Sequence, residues 1–94
     1  MADEFSDAAW DGAASRYAST ADYCDSCLIN ENTGPRDGWV QSKCHLPVRE
    51  PSGAYNRNAI RNALARLGQV QAASSAKAAA LRRLQALKKR AKIG

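Results

Sequence analysis

The 94-residue chain predicts a mainly α fold, in which a C-terminal antiparallel helical hairpin follows an irregular, cysteine-containing N-terminal half that adds at most a short strand or two. Three observations lead there. Apolar residues recur at helical spacing after residue 55, whereas glycine, proline and asparagine interrupt the patterns before it. Large apolar side chains are also few. Nineteen residues are alanine and only twenty are Val, Ile, Leu, Met, Phe, Trp or Tyr, so one thin domain is the most the chain can build.

Taken in order, residues 1–9 are acidic with a single anchor, Phe5, and read as a disordered or loosely attached tail. The irregular segment then spans residues 10–54. Trp10 with Asp11-Gly12 starts a turn, and Ser19 or Thr20 can cap a short helix over residues 19–28. Residues 30–38 are loop by composition. Residues 39–48 suit one extended stretch, which Pro47 confines to an edge or an irregular strand, and Pro51-Ser52-Gly53 closes it with a turn.

The helical half spans residues 55–94. Asn56 or Asn58 offers an N-cap, and Ile60, Ala63, Leu64 and Leu67 follow at i, i+3, i+4 and i+7 on one face. Gly68 ends or weakens that helix. Ser74 or Ser75 starts the next, with Ala80, Leu84, Leu87 and Ala91 in one stripe and Leu81 widening it. Two amphipathic helices on a short link pack as an antiparallel hairpin.

Charge divides along the same line. Residues 1–34 hold seven acids and one base, Arg16, while residues 55–94 hold ten bases and no acid. Such a split points to two functional segments, with Arg57, Arg61, Lys77, Arg82, Arg83, Lys88, Lys89, Arg90 and Lys92 covering the outer faces of the hairpin. A phosphate backbone or an acidic protein surface would each satisfy those charges. Aside from Tyr55 the hairpin lacks aromatics, which argues against single-strand recognition by stacking. The bland alternative is a solvated helix face.

Cys24-x-x-Cys27, followed by Cys44-His45, is the candidate metal set. Zinc takes four N or S ligands in a tetrahedron, but adjacent residues of an extended segment face opposite sides, so Cys44 and His45 could both ligate only at a sharp turn. The alternative is that Cys24 and Cys27 pack as small hydrophobes. Three cysteines fit a reducing interior better than a disulfide framework. No cofactor is expected, and zinc is the one candidate. Catalysis lacks a Ser-His-acid set, a glycine-rich phosphate loop and paired carboxylates, so an enzyme is not expected. No apolar run reaches the roughly 18 residues of a membrane span, and no secretory signal is visible.

Several motifs resemble a known domain. They are Ala9-Trp10-Asp11-Gly12-Ala13-Ala14-Ser15-Arg16-Tyr17, Cys27-Leu28, Cys44-His45-Leu46-Pro47-Val48-Arg49-Glu50-Pro51, residues Asn56 to Leu67, and a closing stretch from Ala86 to Gly94. In this order they resemble an accessory domain of tailed phages, of the kind fused to HK97-type prohead proteases or encoded among head genes, over residues 9–94. The protease fold itself does not fit in so short a chain, so no catalytic residue carries over. The resemblance implies phage head assembly or a virion component, with a location in the host cytoplasm during assembly or in the particle. The leading expectation is therefore a structural or interaction module that docks its basic hairpin on a phage head protein or another acidic protein, in an oligomeric state left open. The alternative is a small nucleic-acid-binding protein gripping phosphates, with zinc ordering residues 24–45.

Overall fold

Cap residues and a few turns divide the chain. In the computed structural model, which describes residues 5–93, Ser19 caps α1 (Thr20–Asp25) and Asn56 caps α2 (Arg57–Arg66). The strands are β1 (Phe5–Ser6), β2 (Cys27–Asn30), β3 (Cys44–Pro47) and β4 (Tyr55–Asn56), and α3 (Ser74–Arg90) closes the fold. Helix, counting short 3-10 turns, makes up 51% of the described residues. The domain is thus mixed rather than mainly α, because segments 27–30 and 44–47 pair as antiparallel strands, with Ile29 opposite His45 and Cys27 opposite Pro47.

The helical half follows its periodicity. The Asn56 side chain accepts the Ala59 N–H at 2.9 Å, and Ala59, Ile60 and Ala63 are buried. The chain tightens to a 3-10 turn at Leu67–Gln69, at the expected Gly68 break. α3 buries Ala80, Leu84 and Leu87, with Ala91 continuing the stripe just past its end. Leu81 falls outside that stripe and is 40% exposed. α2 and α3 contact each other, and the Arg57 Nε at the start of α2 donates to the Ala91 carbonyl beyond the end of α3 at 2.9 Å.

No side chain of α3's own caps its N-terminus. Glu31, from the end of β2, accepts the Ala73 N–H at 3.3 Å and sets a negative charge beside the positive end of the helix dipole. At the other end Lys92 (φ 59°) takes the left-handed position usual for glycine, while the Ile93 and Lys92 N–H groups donate to the Lys88 and Lys89 carbonyls.

The strands carry an irregularity with a use. Leu46 has φ 64°, which costs a bulky residue about 1–2 kcal/mol. Strict alternation would put Cys44 and Leu46 on one face. The left-handed step instead sends them into different clusters. Leu46 joins Leu28, Ile29, Val48, Ile60 and Leu84 in a hydrocarbon core between the strands and the α2/α3 pair. Cys44 joins Tyr17, Tyr23, Cys24 and Cys27 on the side of α1. The β2/β3 pair is the middle layer, contacting α1, α2 and α3.

Four further expectations need correction. The single extended stretch expected over residues 39–48 is broken by a 3-10 turn at Gln41–Lys43, so that only Cys44–Pro47 is strand. The tail expected over residues 1–9 lies outside the described residues at 1–4, but from Phe5 onward it is fixed: β1 pairs parallel with β4, and Phe5 stacks on Tyr55 at 5.6 Å between ring centroids. The buried Asn56 amide donates to the Ala8 carbonyl at 3.0 Å and Asn58 donates there too, also at 3.0 Å, so partners far along the chain replace the missing anchors. The short helix expected over 19–28 stops at Asp25, since Cys27 and Leu28 are taken into β2. Finally, Cys24 and Cys44 form a disulfide, against the expectation of three reduced cysteines, and leave Cys27 as a buried thiol. An odd count hid a pair closed between sites 20 residues apart in sequence.

Candidate binding surface

The basic residues of the C-terminal half divide by what they already hold. Arg57 is a structural tie: besides Ala91 it reaches the Phe5 carbonyl at 3.2 Å and the Asp7 carboxylate at 3.0 Å, and its guanidinium lies 5.5 Å from the Phe5 ring. Lys77 donates to the Gly68 carbonyl at 3.2 Å and so holds the link between the two helices. Arg61 donates to Asn58 at 3.1 Å, and Arg90 lies 5.9 Å from the Tyr55 ring. These four were expected among the partner-binding residues, and each has work inside the fold.

Arg82, Arg83 and Lys89 differ. Their side chains are exposed and make no hydrogen bond or ion pair with any described residue. At about 100° per residue, the buried stripe places Arg82 and Lys89 on the opposite side of α3, Arg83 on one flank and Leu81 on the other. Ala78 and Gln85 sit between them, exposed. Lys88 is half-buried and Lys92 is exposed at the helix end. The outer face of α3 is thus basic, acid-free and uneven, with small side chains beside long cations and one exposed leucine.

The four candidate metal ligands do not form one site. Cys24 and Cys44 spend their sulfurs on each other, Cys27 sits in the same cluster as a thiol, and His45 lines a groove with α2. No group of three or more His, Cys, Asp or Glu among the described residues could hold a metal. Burial pushes the Cys27 thiol up to about 12, and the thiol donates to the Tyr23 carbonyl at 3.3 Å. It is therefore almost wholly protonated at neutral pH and a poor nucleophile. The phenols of Tyr23 and Tyr17 are raised as well, mainly by burial.

Acidic groups of the front half are engaged locally. Arg36 pairs with Asp25 and, at 3.6 Å, with Asp22. The Ala13 N–H donating at 3.0 Å, with Arg16 beside it, holds the Asp11 carboxyl below its ordinary value. Glu50 is lowered by the Asn56 amide, which donates to it at 2.9 Å. None of the described acids therefore lies over the free cations of α3; their links to the basic half are the Asp7–Arg57 pair, the Glu50–Asn56 bond and the Glu31 cap.

Arg66, which is not among the residues expected to bind a partner, is exposed on α2 beside the same groove as His45, Asn62 and Trp10. Only the fold brings these four together. No family model matches the chain, and neither the curated proteins nor the solved structures contain a match.

Proposed function

We propose that the chain is a small non-enzymatic interaction module of a tailed-phage particle, acting in head assembly or as a virion component. Its α2/α3 pair, read as an antiparallel hairpin, docks the outer face of α3 on an acidic protein surface. The observation that carries this reading is the composition of that face. Arg82 and Lys89 project without internal partners, next to exposed Ala78 and Gln85 and a Leu81 left 40% exposed. A protein partner uses all of these: carboxylates meet the cations, the alanine allows close approach, and the leucine is buried. A phosphate backbone uses only the cations, since its attraction is counterion release. The phage setting is supported by the resemblance of the motifs over residues 9–94. The lack of a catalytic role is supported by Cys27, whose thiol is raised to about 12, and by a His45 whose imidazole makes no hydrogen bond with any described residue.

Co-sedimentation of the full chain with purified tailed-phage head shells, beside a parallel series with duplex DNA over increasing salt, tests the reading. Association with shells at physiological salt, with no retention on DNA, is the expected outcome. Inert shells and DNA binding that falls steeply with salt would replace it with the phosphate-gripping alternative.

A further inference from the structure

A groove of about 270 Å³ lies between the Trp10–Gly12 turn, β3 and the outer side of α2. Its apolar part comprises Leu46, Pro47 and the half-buried Trp10 and Val70. Gly12 (φ +68°) lets the turn close over it: a Cβ there would stand 3.1 Å from the Trp10 Nε1 and 3.7 Å from Pro47. The groove is therefore walled by the Trp10 ring, against which the turn packs closely and over which the Arg16 guanidinium lies at 5.8 Å.

Its polar groups are unbalanced. The Trp10 indole N–H, the His45 imidazole, the Asn62 side-chain amide and the Arg66 guanidinium make no hydrogen bond with any described residue. The indole and the guanidinium can only donate, while the imidazole and the Asn62 amide can donate or accept; the one carboxylate there, Asp11, already accepts from Ala13 at 3.0 Å and Arg16 at 3.3 Å. The occupant best matched to the donor-only Trp10 indole and Arg66 guanidinium brings acceptors, a charged one for Arg66, and an apolar body for Trp10, Leu46 and Val70. The volume lies below the range of about 300–1,000 Å³ usual for drug-sized ligands, which suits one or two side chains rather than a nucleotide.

We infer that this groove binds a short acidic peptide segment of a partner protein, an aspartate or glutamate adjoining an apolar residue, with the carboxylate on Arg66 and the apolar side chain against Trp10. This deepens the acidic-protein reading given above, but uses α2 and the Trp10 turn instead of the outer face of α3. Trp10 acts as the rigid aromatic wall and Arg66 as the anion anchor.

The test is an NMR titration of the 15N-labelled full chain with three probes: a blocked hexapeptide containing Glu-Leu, its Gln-Leu counterpart, and inorganic phosphate. Saturable shifts of the Trp10 indole N–H and the Gly12 and Asn62 amides with the Glu peptide are expected, with affinity lower by about tenfold or more for the Gln peptide and for Arg66→Ala. Arg66 is exposed, so Arg66→Ala folds, and an unchanged spectrum elsewhere shows it. Arg82→Glu with Arg83→Glu leaves these shifts unchanged even if it abolishes docking by α3, which separates the two proposals. Equal response to the Gln peptide, an equal response to phosphate, or no saturable shift at Trp10 overturns the inference.

Discussion

The hydrocarbon core under α2 and α3 and the cluster around Cys24–Cys44 share one wall, the β2/β3 pair, yet different chemistry holds them. Leu28, Ile29, Leu46, Val48, Ile60, Leu84 and the other buried residues of that core have nothing to titrate or reduce. Tyr17, Tyr23, Cys24, Cys27 and Cys44 are a disulfide, a thiol and two phenols. The contrast shows how a chain short of large apolar residues completes a domain: it spends its aliphatics under the helical pair and closes the loop-rich half with a covalent tie. The first region should therefore respond to volume, and the second to redox state and alkali.

The largest effect tests the first region. Leu84 is fully buried, so Leu84→Ala should cost about 3–5 kcal/mol, enough to unfold much of the population, as read by urea denaturation. A cost under about 1 kcal/mol would mean that the core is loosely packed. Next, Cys24→Ser with Cys44→Ser should cost about 3 kcal/mol, from the closed-loop entropy of a 20-residue separation. Hydrogen exchange sharpens this: amides of α1 and β3 should lose protection before those of α3. Uniform loss would erase the distinction between the regions.

A smaller effect comes from alkali. The folded Cys27 thiol titrates near 12 against an ordinary value of 9.0, so its contribution is complete below pH 9 and is lost as pH rises towards 12. The account predicts that the thiol's share of the loss is about 2 kcal/mol by about pH 10.5, which Cys27→Ala should remove while the share of the Tyr17 and Tyr23 phenols remains, as measured by urea midpoints across pH. The smallest effect is a gain. Lys92 holds a left-handed cap at φ 59°, so Lys92→Gly should stabilise by about 0.5–1 kcal/mol in thermal melts.

What the sequence disclosed follows from the range of the interactions. The stripe Ala80–Leu84–Leu87–Ala91 and the Asn56 cap are local signals, and the structure bears both out. Leu81 was placed in that stripe because apolarity alone does not say which edge of a stripe is covered. The Cys24–Cys44 tie, the Glu31 cap on α3 and the anchoring of Phe5–Ala8 on Asn56, Arg57 and Asn58 join positions far apart in the chain. No periodicity encodes those pairings. Charge counting identified the basic half correctly, but could not separate Arg57 and Lys77, which hold the fold, from Arg82 and Lys89, which do not.

That separation is the central claim, and charge reversal tests it most directly. The measurement is the affinity of Arg82→Glu with Arg83→Glu for tailed-phage head shells, taken beside its thermal midpoint. An unchanged midpoint with association lost is the predicted result, since both side chains are exposed and unpaired among the described residues. Wild-type affinity in a variant of wild-type stability would contradict the account.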